Sequence, residues 1–485
     1  MTKRPTILQS LIPIFTLILL ISLNVILLGD DTLSGANQLS LLCASAVAIG
    51  IAIYNRVPWS QILQGILHTL NTSMSALLIL LMIGVLAGTW MLSGIIPGMI
   101  YYGLYILKPD YFLPAAALIS AIISVATGSS WSTVATVGVA LLGIGQALGF
   151  NDALVAGAII SGAYFGDKVS PLSDTTNLAS AIAQTELFTH IRYMMFTTVP
   201  TMLITLTLFT IFSLSATSGS SAPDSVHEVQ QAIGNFYHIN LWLFLVPIAV
   251  VVMIVKKMPA IPALFIGGLL GGVMALIFQP DVIASLSGEE QLSAGGAYRV
   301  LTKAMYGTTA LQTGNATLDS LFTAHGMAGM LNTIWLIITA MIFGGVLEAG
   351  HFLERITQAL IKRVHSDGGL VTTTAATCIL FNTTASDQYI SIVVPGKMFA
   401  GAYRRNGMAP EVLSRTLEDS GTATSVLIPW NTCGATQAGV LGVATFSYLP
   451  YAFFCYLSPL MSILFAWLNL KIRRIPPEPA APECE

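Results

Sequence analysis

Long uncharged stretches recur along this chain and restrict its fold more than any other feature. Residues 7–28 run for 22 positions without Asp, Glu, Lys or Arg, and residues 69–107 for 39. Further uncharged or nearly uncharged runs fill 240–255, 258–279, 327–347 and 426–470. A helix needs about 20 apolar residues to cross the hydrocarbon core of a bilayer. Only helices or closed barrels satisfy their backbone there, and these runs are too long and continuous for barrel strands. Charged residues make up only 9% of the 485, against about 25% in soluble domains. The fold class expected is therefore an all-α polytopic membrane protein with about 10–12 spans. The first run is too long for a signal-peptide core and lacks a clear cleavage site, so it reads as the first span.

Basic residues in short loops mark the cytoplasmic side. Lys3 and Arg4 precede the first run, and Lys471, Arg473 and Arg474 follow the last, so both termini read as cytoplasmic. Arg56, Lys256 and Lys257 fall inside on this scheme. Asp30 and Asp31, the acidic loop 213–238 and the long loop 279–326 fall outside. Sliding the sequence against itself by 256 residues aligns Gly88 with Gly344, Gly94 with Gly350, Thr127 with Thr383, Ser130 with Ser386 and Thr176 with Thr432. Each half shows a Gly-rich span, a short segment, and two polar breaks inside apolar runs. Two halves that begin on opposite sides form an inverted-topology repeat. The domain reading is a first repeat over 1–215, an external linker over 216–237, a second repeat over 238–474 and a disordered tail over 475–485.

The four breaks are ATGSSWST (126–133), GDKVSPLSDTTN (166–177), FNTTASDQ (381–388) and EDSGTATSVLIPWNTCG (418–434). Irregular polar backbone at membrane depth survives only where protein buries it or a water-filled cavity wets it. The breaks are thus expected to be discontinuous helices or re-entrant hairpins meeting near the midplane, where half-helix ends and hydroxyls can hold an ion. An Asp at mid-membrane costs about 2.5–3.5 kcal/mol, so Asp167, Asp174, Asp387, Glu418 and Asp419 need an offset. Lys168 beside Asp167, and Arg415 before Glu418, are candidate ion-pair partners. Asp174 and Asp387 have no basic residue closer than six and ten positions. A carboxylate in a low-dielectric cavity favours its protonated form, and can exchange that proton for a small hard cation that prefers oxygen ligands.

The residues expected to hold cation and proton are Asp174 with Ser173, Thr175, Thr176 and Asn177, together with Asn382, Thr383 and Asp387; Na⁺ itself is placed at Asp174, Thr176 and Asp387. Supporting or gating roles go to Thr127, Ser129, Asp167, Lys168, Ser170, Arg415, Glu418, Asp419, Ser420, Thr422, Asn431 and Thr432. Trp59, Tyr101, Tyr102 and Trp242 read as interfacial anchors, and His68, His190 and His351 as interfacial. The five cysteines show no metal-ligand spacing and read as free thiols in spans. No basic tract marks a nucleic-acid partner, and no cofactor is expected.

Several motifs resemble the NhaC family of Na⁺/H⁺ antiporters: SW-x₂-VATVGVALLGIG (130–145), GDKVSPLSDTTNLA (166–179), TGN-x₂-LDSLFTAHGMAGML (313–331), FNTTASDQYISIVVPGKMF (381–399) and LSRTLEDSGTATSVLIPWNTCGA (413–435). The last is long and unusual enough to be specific. The resemblance implies exchange of Na⁺ for H⁺ across the cytoplasmic membrane or, in a related branch, exchange of malate for lactate coupled to both ions. It also implies membership of the ion-transporter superfamily, with paired re-entrant hairpins and elevator-type motion. An organic-anion exchanger taking a small dicarboxylate or monocarboxylate is the nearest alternative, and a homodimer is compatible with either. An intramembrane protease fits poorly: YFGD at Tyr164–Asp167 lacks the first Gly of a GxGD motif, and DSG at Asp419–Gly421 has no nearby His. A channel fits less well than alternating access, given inverted repeats and acidic residues beside basic ones.

Overall fold

The computed structural model describes residues 3–28, 35–217, 222–289, 292–311, 319, 322–361 and 366–475. Asp30, Asp31 and positions 476–485 of the expected tail lie outside the described residues. Seven helices among those described are long and apolar enough to cross a membrane: Ile7–Leu28, Ala36–Tyr54, Trp59–Leu92, Pro109–Thr127, Leu187–Ser215, Ala260–Phe278 and Leu331–Ala349. Two bent pairs, Val226–Phe236 with Leu241–Val255 at 93° and Thr445–Tyr451 with Phe453–Trp467 at 56°, bring the number to nine if each is one broken span and not a re-entrant loop. Length and apolarity alone thus give seven to nine, set beside the ten to twelve expected from the sequence. Helices Asp152–Val169, Asp367–Thr384 and Gln388–Arg405 have 18 residues each but carry charged and hydroxyl side chains that lower their hydropathy.

The helix Trp59–Leu92 is the spine. Its 34 residues span about 51 Å at 1.5 Å per residue, well beyond the roughly 30 Å hydrocarbon core. Glycines let its neighbours press against its backbone. A Cβ on Gly88 would stand 1.8 Å from the Ala304 carbonyl oxygen, one on Gly84 2.5 Å from that of Gly326, and one on Gly65 2.7 Å from that of Gly345. Buried hydrogen bonds tie the spine to two neighbours: Thr69 Oγ1 donates to the Met341 carbonyl of helix Leu331–Ala349 at 2.8 Å, and Trp90 Nε1 to the Gly267 carbonyl of helix Ala260–Phe278 at 3.1 Å.

Element boundaries recur at the offset found in the sequence. Phe112–Thr127 matches Asp367–Thr384 with starts 255 and ends 257 residues apart. The segment from Ser130 to Ala147 matches Gln388–Arg405 at 258 for both ends. Asp174–Ala183 matches Thr432–Leu441, again at 258. Each half therefore contains two interrupted helix pairs in the same order.

Two segments differ from their sequence reading. The linker contains a helix, Ala222–Phe236, because Val229 and Ile233 are spaced by one turn and bury, with Tyr237 following at the next. The long loop contains helices Pro280–Ser287 and Ala294–Tyr306, and a two-stranded antiparallel sheet pairs Thr309–Ala310 with Thr323–Ala324.

Candidate functional site

The first break begins where helix Phe112–Thr127 stops at Gly128, whose φ of 68° suits a residue without a Cβ. A Cβ there would also meet Leu172 of the second break at 2.6 Å, so the two breaks touch. Helix Asp152–Val169 presses on Phe112–Thr127 through Gly162, where a Cβ would sit 1.9 Å from the Ala117 carbonyl oxygen. Ser124 Oγ donates to the Ala163 carbonyl at 2.6 Å along the same seam. That packing brings buried Asp167 to the start of the short helix Ser130–Thr133. Its Oδ2 accepts from the Ser130 amide at 3.1 Å and from Ser130 Oγ at 2.7 Å. A half-helix N-terminus thus faces a carboxylate, the electrostatic match expected of one.

The second break runs from Ser170 to Ser173. Ser170 Oγ donates to the Val125 carbonyl at 2.8 Å, Asn177 Nδ2 to the carbonyls of Pro171 at 3.0 Å and Ser173 at 2.7 Å, and the Ser173 and Thr175 hydroxyls lie 3.1 Å apart. At the third break Ser386, with φ 60°, reverses the chain before Asp387. The Asp387 carboxylate caps helix Gln388–Arg405, accepting from the Tyr389 and Ile390 amides at 2.8 and 3.1 Å. The fourth break is bound to the third. Asn382 Nδ2 donates to the Gly421 carbonyl at 2.7 Å, Asn431 Nδ2 to the Asn382 carbonyl at 3.1 Å, the Thr432 amide to the Ser386 carbonyl at 2.9 Å and Trp430 Nε1 to the Thr383 carbonyl at 2.7 Å.

All four breaks reach one cavity of about 520 Å³. The first contributes Thr127, Ser129, Trp131 and Ser132, the second Asp167, Ser173, Asp174, Thr175 and Asn177, the third Asp387, Gln388 and Tyr389, and the fourth Thr432. Asp174 is exposed to this space, whereas Asp167 and Asp387 are buried in its wall. Among the described residues no three of His, Cys, Asp and Glu are close enough to hold one metal ion. A cation in this space would accordingly take one or two carboxylates and fill its shell from hydroxyl and carbonyl oxygens.

The other expected residues lie behind the wall. Thr176 donates to the Lys168 carbonyl at 2.9 Å, and Thr383 turns its hydroxyl back to the Ile379 carbonyl at 2.9 Å. Neither of these, nor Asn382, Ser170, Asn431, Ser420 or Thr422, lines the cavity. The expected pairs also rearrange. Lys168 is fully buried and bonds Asp419, not its neighbour Asp167, because consecutive helix residues point about 100° apart. Ser458 Oγ donates to the same carboxylate at 3.1 Å and Thr197 Oγ1 at 2.9 Å. Arg415 and Glu418 do not pair. The Arg415 guanidinium lies 4.8 Å from the Tyr193 ring centroid, and the Glu418 carboxylate has no hydrogen-bond partner among the described residues. His190, read as interfacial, is buried, its Nδ1 2.7 Å from Ser414 Oγ.

Sequence reasoning missed Thr72, Ser73 and Ser75 on the spine helix and Lys257 in the turn between helices Leu245–Val255 and Ala260–Phe278, all of which line the cavity. The signal existed for the first three, since NTSMS at 71–75 is a polar cluster inside an uncharged run. Lys257 was legible only as a topology marker.

A bundle of membrane helices whose interruptions gather carboxylates and hydroxyls around one polar space is a multi-pass membrane transporter. The chain belongs to the Na⁺/H⁺ antiporter family, whose model matches residues 162–470. It is 36% identical over 459 residues to the Na⁺/H⁺ antiporter NhaC of Alkalihalophilus pseudofirmus, covering 94% of this chain and 96% of the relative. It is 35% identical over 430 residues to the malate-2H⁺/Na⁺-lactate antiporter of Bacillus subtilis, covering 89% of each. Identity to the arginine/ornithine antiporter ArcD of Halobacterium salinarum is 34% over 484 residues, or 99% of this chain and 96% of that one.

Proposed function

We propose that this protein exchanges Na⁺ for H⁺ across the cytoplasmic membrane at the cavity where the four breaks meet. The supporting observation is its lining: Asp167, Asp174 and Asp387 share it with nine Ser and Thr residues, while the buried Lys168 is turned away to Asp419. Asp174 and Asp387 bind the cation with help from Ser173 and Thr175, Asp167 stands beside them, and one carboxylate carries the proton when Na⁺ is absent. The two halves run in opposite directions through the bilayer and expose the cavity to each side in turn, by an elevator-type movement of the broken helices. The test is Na⁺ binding measured from pH 5 to 9. Competition makes the apparent affinity fall about tenfold per pH unit below the pKa of the shared group and level off above it. An affinity flat across that range would mean separate sites for the two ions.

A second reading is favoured by the size of the cavity. About 520 Å³ lies within the roughly 300–1,000 Å³ of small-molecule sites and far exceeds what Na⁺ and its ligands fill, and Lys257 offers a cation to an organic anion. Relatives that exchange malate for lactate, or arginine for ornithine, give this reading two concrete substrate classes. Proteoliposomes loaded with ²²Na⁺ and challenged in turn with a pH gradient, labelled malate, lactate and arginine separate the readings. Counterflow of an organic solute at a rate comparable to Na⁺ would overturn simple ion exchange.

A further inference from the structure

We propose that the groove between the start of helix Leu187–Thr217 and the C-terminal turn binds an anionic phospholipid. Arg192, Lys471 and Arg473 line a second cavity of about 520 Å³ there, floored by Tyr193 and Phe196. The groove is built, not draped. After helix Phe453–Trp467 the chain reverses through Asn469 and Lys471, at φ 53° and 50°. It is then pinned to the loop after Gln388–Arg405: the Ala409 amide donates to the Arg473 carbonyl and the Ile475 amide to that of Gly407, both at 2.9 Å. The Tyr193 hydroxyl donates to the Lys471 carbonyl, and the Lys471 ammonium stands 4.8 Å from the Phe196 ring centroid.

Basic groups outnumber acidic ones there, with Arg192, Lys471 and Arg473 set against Glu186 and Glu411. Arg473 bonds Glu411 at 3.0 Å, but neither Arg192 nor Lys471 forms an ion pair within 4 Å among the described residues. The nearby Glu186 carboxylate offsets part of the Arg192 charge at a distance, but it is turned to the Phe188 and Thr189 amides at 3.0 and 2.7 Å and makes no contact ion pair among the described residues. Two cations at a bilayer surface attract a phosphate group.

An apolar stripe makes the occupant a lipid and not a free phosphate. Phe188, Phe196, Val199 and Leu203 are all exposed, at 56, 44, 38 and 59%. With Arg192 they are spaced three or four residues apart, which puts them on one face of the helix. The stripe leads from the groove along the membrane-spanning part of Leu187–Thr217. A phosphate seated between Arg192 and Lys471 would let its acyl chains lie along that face. The site also adjoins the buried network: the Tyr193 ring carries the Arg415 guanidinium, and one turn on, Thr197 bonds Asp419.

The test uses the full-length protein purified in detergent, with binding of phosphatidylglycerol, phosphatidylcholine and inorganic phosphate read by native mass spectrometry and thermal stabilisation. Phosphatidylglycerol should bind and stabilise the wild type, with phosphatidylcholine and phosphate having little effect. Loss of two surface charges at about 1 kcal/mol each weakens that binding about 30-fold in R192Q/K471Q, and the charge-conserving R192K/K471R retains it. Wild-type binding by R192Q/K471Q, equal binding of phosphatidylcholine, or equal stabilisation by phosphate alone would each overturn the assignment.

Discussion

Asp387 separates charge from capping. Its carboxylate accepts two amide hydrogens at the head of Gln388–Arg405 and lines the cavity as well. Asn is as good an N-cap as Asp, so Asp387→Asn should keep stability within about 1 kcal/mol while abolishing Na⁺-dependent proton movement. Asp387→Ala should lose both, with roughly 1 kcal/mol of cap energy gone. Asp174→Asn should likewise abolish exchange in a folded protein, and undiminished exchange would remove Asp174 from the mechanism. Vesicle transport and thermal melting of the three variants decide between these outcomes. Lys168 and Asp419 behave differently, being a buried pair away from the cavity. Lys168→Met leaves an uncompensated carboxylate and should cost about 3–5 kcal/mol, whereas replacing both partners by apolar residues should recover much of the loss. Recovery stops short of complete because the Thr197 and Ser458 hydroxyls lose their acceptor. Comparing melting temperatures of the single and double variants measures it.

Elements are held in place by close backbone approach as much as by apolar burial. Gly162→Ala would drive a methyl group into the Ala117 carbonyl and should cost about 1–3 kcal/mol by overpacking. It should also slow transport, because the same seam positions Asp167. Gly149 provides the control: its φ is 80° but nothing lies within 4 Å of a Cβ there, so Gly149→Ala should show backbone strain of about 1–2 kcal/mol with transport kept. Glu186, just ahead of the Leu187–Thr217 span, is a cap that responds to pH. Bonds from the Thr189 hydroxyl, then from the Phe188 and Thr189 amides, hold its carboxyl below its ordinary range. A depressed pKa gives stability that is present above the unfolded value and lost as pH falls through the folded one. Wild type should therefore melt above Glu186→Gln near neutral pH, and the gap should close in acid.

At the scale of the whole molecule the recurring boundaries, 255 to 258 residues apart, are what two copies of one plan on either side of the linker would give. If the copies are inverted and both termini are cytoplasmic, Lys257 and Lys471 belong on the same side. In a background lacking the exposed Cys43 and the terminal Cys484, Lys257→Cys and Lys471→Cys should both react with an impermeant maleimide only in inside-out vesicles. Labelling from opposite faces would contradict the inverted arrangement.

Membrane residence, helicity and family were legible in the chain alone, because each depends on local composition or on contiguous motifs such as 413–435. A helix must satisfy its backbone within its own segment in lipid, so apolar run length is enough to place it, and the polar breaks announce where a run is interrupted. Pairing was not legible. Lys168 lies next to Asp167 in the chain yet bonds Asp419, 251 residues away, because helix geometry points neighbours apart and only packing of the two halves chooses a partner. The division of Asp174, Thr176, Asn382 and Thr383 between cavity and wall was hidden for the same reason. One turn of a helix decides which hydroxyl meets the cavity and which returns to its own backbone, and that rotation is set by glycine seams between helices far apart in sequence.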